Sequence, residues 1–157
     1  MPPTHPEAVA AISPDRVALQ MADSGEVLTY GELAAGANRC AGVFADLGLN
    51  HGDAIACLLP NGPDLTRIAW AAKNSGLRYV MIGTRLNCAD IDFIIHDCGA
   101  KAVVTDASLL KQLDAAKLTG ADIRILLVDG ASPDCDDLRA LTADNSDQPL
   151  PGRRRGA

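Results

Sequence analysis

The sequence predicts an α/β fold in which βαβ units build a largely parallel sheet. Three observations point there. Apolar runs of strand length at 54–59, 78–83, 102–105 and 123–129 alternate with segments whose apolar residues recur at helical spacing. Several of those helical segments open on a capping residue and close on a glycine. The composition, 48% hydrophobic and 22% charged, is that of a packed domain and excludes wholesale disorder. At 157 residues the chain fits one ordinary domain, and with only 3% aromatics its core must be built from small side chains.

Residues 1–13 read as a flexible tail, because Pro2, Pro3 and Pro6 interrupt regular pairing. Arg16–Gln20 and Val27–Tyr30 read as a hairpin around the turn residues Asp23, Ser24 and Gly25. Thr29 with Glu32 three positions on forms a capping box, in which each side chain satisfies an amide at the start of a helix. Leu33, Ala37, Cys40, Ala41, Phe44 and Leu47 are that helix's apolar stripe, and Gly48 ends it. Ala54–Leu59 is apolar throughout, as expected of a strand covered on both faces.

Asn61 is expected to cap the next helix, with Pro63 in its first turn, Leu65, Ile68, Ala69 and Ala72 on its buried side, and Gly76 at its end. Arg78–Gly83 follows as a strand. Asn87 caps a short helix bearing Ile91, Ile94, Ile95 and Cys98, stopped by Gly99. Ala102–Thr105, a helix over Ser108–Lys117, and a strand over Ile123–Asp129 complete the alternation. Asp136–Leu141 reads as one or two helical turns. The chain thus divides into the tail at 1–13, an α/β segment at 14–141, and a linker or disordered end at 142–157. The ending PLPGRRRGA does not continue the pattern, and is read as an out-of-frame ending of a truncated gene.

Several classes of function are excluded. The net charge of −6 leaves no basic face for nucleic acid. No apolar run approaches the roughly 18 residues of a membrane span, and the amino terminus lacks a basic region ahead of an apolar stretch. Five cysteines (Cys40, Cys57, Cys88, Cys98, Cys135) without C-x-x-C spacing argue for reduced thiols in a cytoplasmic protein rather than a disulfide framework or zinc cage.

The candidates for chemistry are thin. Neither G-x-G-x-x-G nor G-x-x-x-x-G-K-[ST] occurs, so no standard phosphate loop is present. Leu59–Pro63 lies between a strand and a helix, where anions bind, but its simpler reading is a turn and a helix cap. His51, beside Asp53, lacks an evident catalytic partner. His96, beside Asp97, is placed to interact favourably with a helix C-terminus. Cys98 is two residues from His96, a spacing that points the pair to different faces of a helix, and it falls on the apolar stripe. Cys88 and Cys135 lie in expected loops with nothing nearby to lower their pKa. Arg153, Arg154 and Arg155 are the one basic cluster, set against an acidic chain.

Taken in order, several segments resemble the amino-terminal part of the adenylate-forming (AMP-binding) superfamily, most like acyl-CoA synthetases and fatty-acid–CoA ligases. The run begins at Pro14-Asp15-Arg16-Val17-Ala18-Leu19 and Leu28-Thr29-Tyr30-Gly31-Glu32-Leu33, followed by Ala37-Asn38-Arg39. It continues through Leu47-Gly48, Gly52-Asp53, Leu58-Leu59-Pro60-Asn61 and Ala71-Ala72-Lys73-Asn74-Ser75-Gly76. Thr84-Arg85-Leu86-Asn87 and Asp97-Cys98-Gly99-Ala100-Lys101 end it. Arg85-Leu86 is closer to acyl-CoA synthetases than to the amino-acid-activating domains of peptide synthetases.

The resemblance implies part of the large amino-terminal domain of an ATP-dependent ligase. In the complete enzyme a fatty or other carboxylic acid would attack Mg-ATP to give acyl-AMP, and the thiol of coenzyme A would displace AMP. The phosphate loop ending in P-K-G, the later Y-G-x-T-E and T-G-D motifs, the hinge and the carboxy-terminal lysine are absent from these 157 residues. The resemblance therefore assigns no catalytic, cofactor-binding or metal residue here, and implies a chain that is inert alone. ATP, Mg and coenzyme A belong to the complete enzyme. The expected partners are the downstream portion of a synthetase, which would complete the sheet, or a second copy in a homodimer. The rival reading is a non-catalytic interaction module or one half of a split synthetase. A free-standing nucleotide-binding regulator is disfavoured by the missing glycine loop.

Overall fold

The computed structural model describes residues 5–113, 117–118, 121–130 and 132–151. Its centre is a five-stranded, all-parallel sheet made of β3 (Ala54–Leu58), β4 (Arg78–Met81), β5 (Ala100–Thr105), β6 (Arg124–Leu127) and β7 (Asp136–Asp137), in the order β4-β3-β5-β6-β7. A separate antiparallel pair, β1 (Val17–Gln20) and β2 (Val27–Thr29), precedes it. The α/β class, the hairpin and the parallel sheet are as the sequence predicts.

The central position of β3 explains its composition. All five residues are buried, because helices cover the sheet on both faces. Ile55 and Cys57 face one core with α2 (Tyr30–Asp46) and α3 (Pro63–Ser75), where Phe44, Ile68, Ala71 and Ala72 pack. Ala56 and Leu58 face the other with Ile91 and Ile95 of α4 (Cys88–Asp97). Alternate β3 side chains thus serve opposite cores.

The expected caps of α2 and α4 form. Thr29 Oγ1 accepts from the Glu32 amide at 3.2 Å while Glu32 Oε2 accepts from the Thr29 amide at 2.9 Å. Asn87 Oδ1 accepts from the Asp90 amide at 3.0 Å. Gly76 ends α3 at φ 70°, a left-handed conformation that glycine takes without strain.

The structure departs from the sequence reading in five places, the first being that Asp136–Asp137, expected to open a helical turn, is strand β7, so that the helix starts at Leu138. The stretch expected as a loose tail contains α1 (Pro6–Ile12): His5 is its N-cap and Pro6 opens its first turn, where proline is favoured. Asn61 does not cap α3. Gly62 holds that position and gives no side-chain hydrogen bond. The helix expected over Ser108–Lys117 begins instead as a short 3₁₀ turn at Leu110–Gln112, with residues 114–116 outside the described set. The polar stretch after Thr142, expected as a linker, follows α5 (Leu138–Ala143) and lies against α2. There Asn38 Nδ2 donates to the Asp147 carbonyl at 2.8 Å, and Leu150 packs on the core. Both contacts join residues far apart in sequence, which local composition does not report. Arg153, Arg154 and Arg155 lie outside the described residues.

Candidate functional site

In an open parallel sheet, ligands bind beyond the carboxyl ends of the strands where the connections diverge to opposite sides. Here β3 leads through α3 to β4 on one side, whereas β5 leads to β6 on the other. The divergence falls between β3 and β5, and the loops that meet there are Leu59–Gly62 and Asp106–Ser108.

The polar groups of this rim are largely committed to one another. Asp106 Oδ1 accepts from Ser108 Oγ at 2.6 Å and from the Leu109 amide at 2.9 Å, while Asp129 Oδ1 accepts from the Ala107 amide at 2.9 Å. Thr105, the last residue of β5, is fully buried and its Oγ1 has no partner among the described residues. Gln112 Oε1 is likewise buried and unpartnered, although its Nε2 donates to the Thr84 carbonyl at 3.3 Å. Unsatisfied buried acceptors are costly and uncommon, so they mark this side of the rim.

On the opposite face of the sheet, the first turns of α2 and α3 and the start of α5 enclose a groove of about 390 Å³. Arg39, Arg67 and Arg139 line it together with Glu32 and Asp64, over a floor that includes Ile68, Val128 and Leu138. Arg67 Nη1 is 3.0 Å from Asp64 Oδ1. Glu32 has its pKa lowered, chiefly by the hydrogen bond from the Thr29 amide and then by the Thr29 hydroxyl. Cys40 lies buried beside the groove, and burial pushes its thiol up to about 12.

The residues singled out from sequence do not assemble into a catalytic group. His51 is exposed in its turn, whereas its neighbour Asp53 pairs with Lys101 at 2.9 Å. The Lys101 hydrogen bond, followed by that from the Asn50 amide, lowers the Asp53 pKa. His96 Nδ1 lies 2.8 Å from the Asp92 carbonyl and 3.4 Å from Asp92 Oδ1, one helical turn back. Cys98 Sγ donates to the Ile95 carbonyl at 3.4 Å and is half-buried on the apolar face. Cys88 is exposed, and Cys135 is half-buried with its pKa raised by burial against an opposing hydrogen bond from Ser132. Among the described residues, no three His, Cys, Asp or Glu side chains stand together to hold a metal ion.

Sequence reasoning missed Thr105, Gln112 and the arginine groove. Thr105 carried one usable signal, a hydroxyl at the end of an otherwise apolar strand. Arg39, Arg67 and Arg139 come from three separate elements, and only the topology brings them together.

The order and geometry of these elements have known counterparts. The chain matches the AMP-binding enzyme family over residues 6–154. It belongs to that family. The long-chain-fatty-acid–CoA ligase FadD13 of Mycobacterium tuberculosis is 34% identical over 108 residues, which are 69% of this chain and 22% of the relative. A fatty acyl CoA synthetase structure from Mycobacterium tuberculosis superposes with a TM-score of 0.79 at 26% identity, covering 97% of this chain and 30% of that one. A shorter relative, the uncharacterized protein Rv1549 of the same species, is 26% identical over 128 residues, covering 81% of this chain and 71% of its own length. The chain is thus an acyl-CoA-synthetase-like amino-terminal segment of the AMP-binding enzyme family, spanning 22% of the length of its ligase relative.

Enzymes of this family use ATP and coenzyme A, and among the described residues the β3–α3 loop does not fit a nucleotide phosphate. There Pro63 supplies no amide, and Asp64 places a carboxylate at the positive end of α3, which opposes a bound anion. No reaction step is therefore assigned to these residues.

Proposed function

We propose that this chain supplies the amino-terminal sheet of an ATP-dependent fatty-acid–CoA-ligase-type enzyme and is catalytically incompetent without the remainder of that enzyme. The observation that carries this reading is the joint match in sequence and fold: 34% identity to a fatty-acid–CoA ligase, and a TM-score of 0.79 to a fatty acyl CoA synthetase across nearly the whole chain. The features that the sequence encodes most clearly are scaffold, namely the capped α2, the buried β3 and the left-handed turn at Gly76. ATP, Mg and coenzyme A would be held by residues outside this segment, with a fatty or other carboxylic acid as substrate. No catalytic, cofactor-binding or metal residue is assigned to the chain itself. The free cysteines, two of them deeply buried, favour a cytoplasmic setting.

The expected partner is the downstream portion of the synthetase, and β4 is the surface it would complete. The two edges of the sheet differ. β7 has only two residues, both aspartates, a short charged edge of the kind that resists pairing. β4 has four residues, Arg78–Met81, with Met81 63% and Tyr79 39% exposed, and so offers an open apolar edge. A second reading, a stand-alone interaction module or half of a split synthetase, is favoured by the short relative that shares most of this chain's length.

Sequencing the downstream DNA, together with probing cells with an antibody raised to residues 14–106, separates the two. A product several times larger than 16.3 kDa, with a phosphate loop and lysine encoded downstream, supports the ligase segment. A product of the small size with no downstream counterpart overturns it in favour of the interaction module.

A further inference from the structure

We propose that the arginine groove between α2, α3 and α5 binds a small organic anion: a carboxylate or phosphate head joined to an apolar body. The inference is independent of the ligase reading and concerns a different part of the molecule from the β3–β5 rim.

Four observations converge on it. The groove's volume, about 390 Å³, falls within the range of about 300–1,000 Å³ typical of small-molecule sites. It holds three guanidinium groups against two carboxylates, Glu32 and Asp64, so its lining carries a small positive excess in a chain whose net charge is −6. The arginines are also unequally engaged. Arg67 is paired with Asp64 at 3.0 Å, Arg39 reaches Asp147 only at 3.8 Å, and the Arg139 guanidinium has no partner among the described residues. Finally, Gly36 leaves room for Arg67. A Cβ there would lie 2.8 Å from Arg67 Cδ and 3.1 Å from Nε, so the glycine lets the arginine stem cross α2 closely.

The division of labour follows from the lining. Arg139 and Arg39 stand ready to take a charged head, since guanidinium forks match carboxylate and phosphate oxygens. Arg67 is held in orientation by Asp64 and by its contact with Gly36. Val128, Leu138 and Ile68 form an apolar floor that would receive the ligand's body. A bare inorganic anion would leave that floor in water, so the site favours an anion carrying a hydrocarbon part.

The test uses the full chain and titration calorimetry with octanoate, octyl phosphate, inorganic phosphate and octanol at low salt. Saturable binding of one or both octyl anions at a single site is expected, with octanol and inorganic phosphate at least about tenfold weaker. The preferred head group tells carboxylate from phosphate. Arg139→Gln removes an unpartnered, exposed charge without disturbing a described contact, and should weaken binding about tenfold. Ala35→Phe fills the groove from the half-buried α2 wall that lines it and should abolish binding while the far-ultraviolet spectrum stays unchanged. Absence of saturable binding, equal binding of inorganic phosphate, or affinities unmoved by both substitutions would overturn the proposal and leave the family assignment untouched.

Discussion

Replacing Gly42 with alanine should test whether the segment after α5 docks on α2. Gly42 lies inside α2, where glycine ordinarily costs about 1 kcal/mol relative to alanine. In isolation the substitution should therefore stabilise. In this structure an added Cβ would overlap Asn145 Oδ1 outright and lie 2.7 Å from its Cγ, so the asparagine must swing away. Its Nδ2 now donates to Asp46 Oδ2 at 3.2 Å and to the Leu141 carbonyl at 3.1 Å. Losing both, one of them to a charged acceptor, costs about 2–3 kcal/mol, which outweighs the helix-propensity gain. Gly42→Ala should thus destabilise by about 1–2 kcal/mol. In an Asn145→Ala background the two hydrogen bonds are already lost and only the residue 145 Cβ, 3.2 Å from the added one, opposes the change, so Gly42→Ala should cost at least about 1 kcal/mol less than in the native chain. Urea unfolding followed by circular dichroism on the four proteins of the cycle measures this directly. Equal effects of Gly42→Ala in the two backgrounds would refute the docking.

Other outcomes follow from the same structure. Acid should weaken the fold through Glu32 and Asp53, whose folded-state pKa values are lowered. Their contribution is full above the unfolded carboxylate range near about 4 and disappears as pH falls through the lowered values, so Thr29→Ala and Lys101→Ala should each flatten the acid limb of a stability–pH curve. Alkylation at pH 8 should label exposed Cys88 first and leave Cys40 and Cys57 unmodified until unfolding, because burial raises both buried thiols to about 12; early labelling of either, read by mass spectrometry, would contradict the packing around β3. Met81→Lys on the open edge should reduce self-association of the isolated chain in sedimentation, with little change in folding stability, since a charge on an edge strand disfavours added strands.

What the sequence made legible was local. The capping box at Thr29 and Glu32, the Asn87 cap, the Gly76 terminus and the unbroken apolar run of β3 each follow from a few neighbouring residues, and together they fix the α/β alternation. Where one residue could serve two roles, local reasoning misplaced it. Pro6 interrupts a strand but favours the first turn of a helix, and Asn61 is a good cap yet sits one position too early. The burial of Thr105, the docking of Asn145 and Asp147 on α2, and the convergence of Arg39, Arg67 and Arg139 depend on contacts across tens of residues. No short window contains them. The strand order likewise decides which edge is open, and so leaves Tyr79 and Met81 of the expected strand at 78–83 exposed.

The central claim is that this chain contributes scaffold rather than chemistry to a carboxylate-activating ligase. Its most direct test is ATP–pyrophosphate exchange, measured across a panel of fatty and aromatic carboxylic acids, with the purified chain alone and again with the downstream portion of a related synthetase supplied in trans. The folded chain alone should give no exchange, and exchange should appear only when the downstream portion is present. Carboxylate-dependent exchange by the chain alone would contradict it.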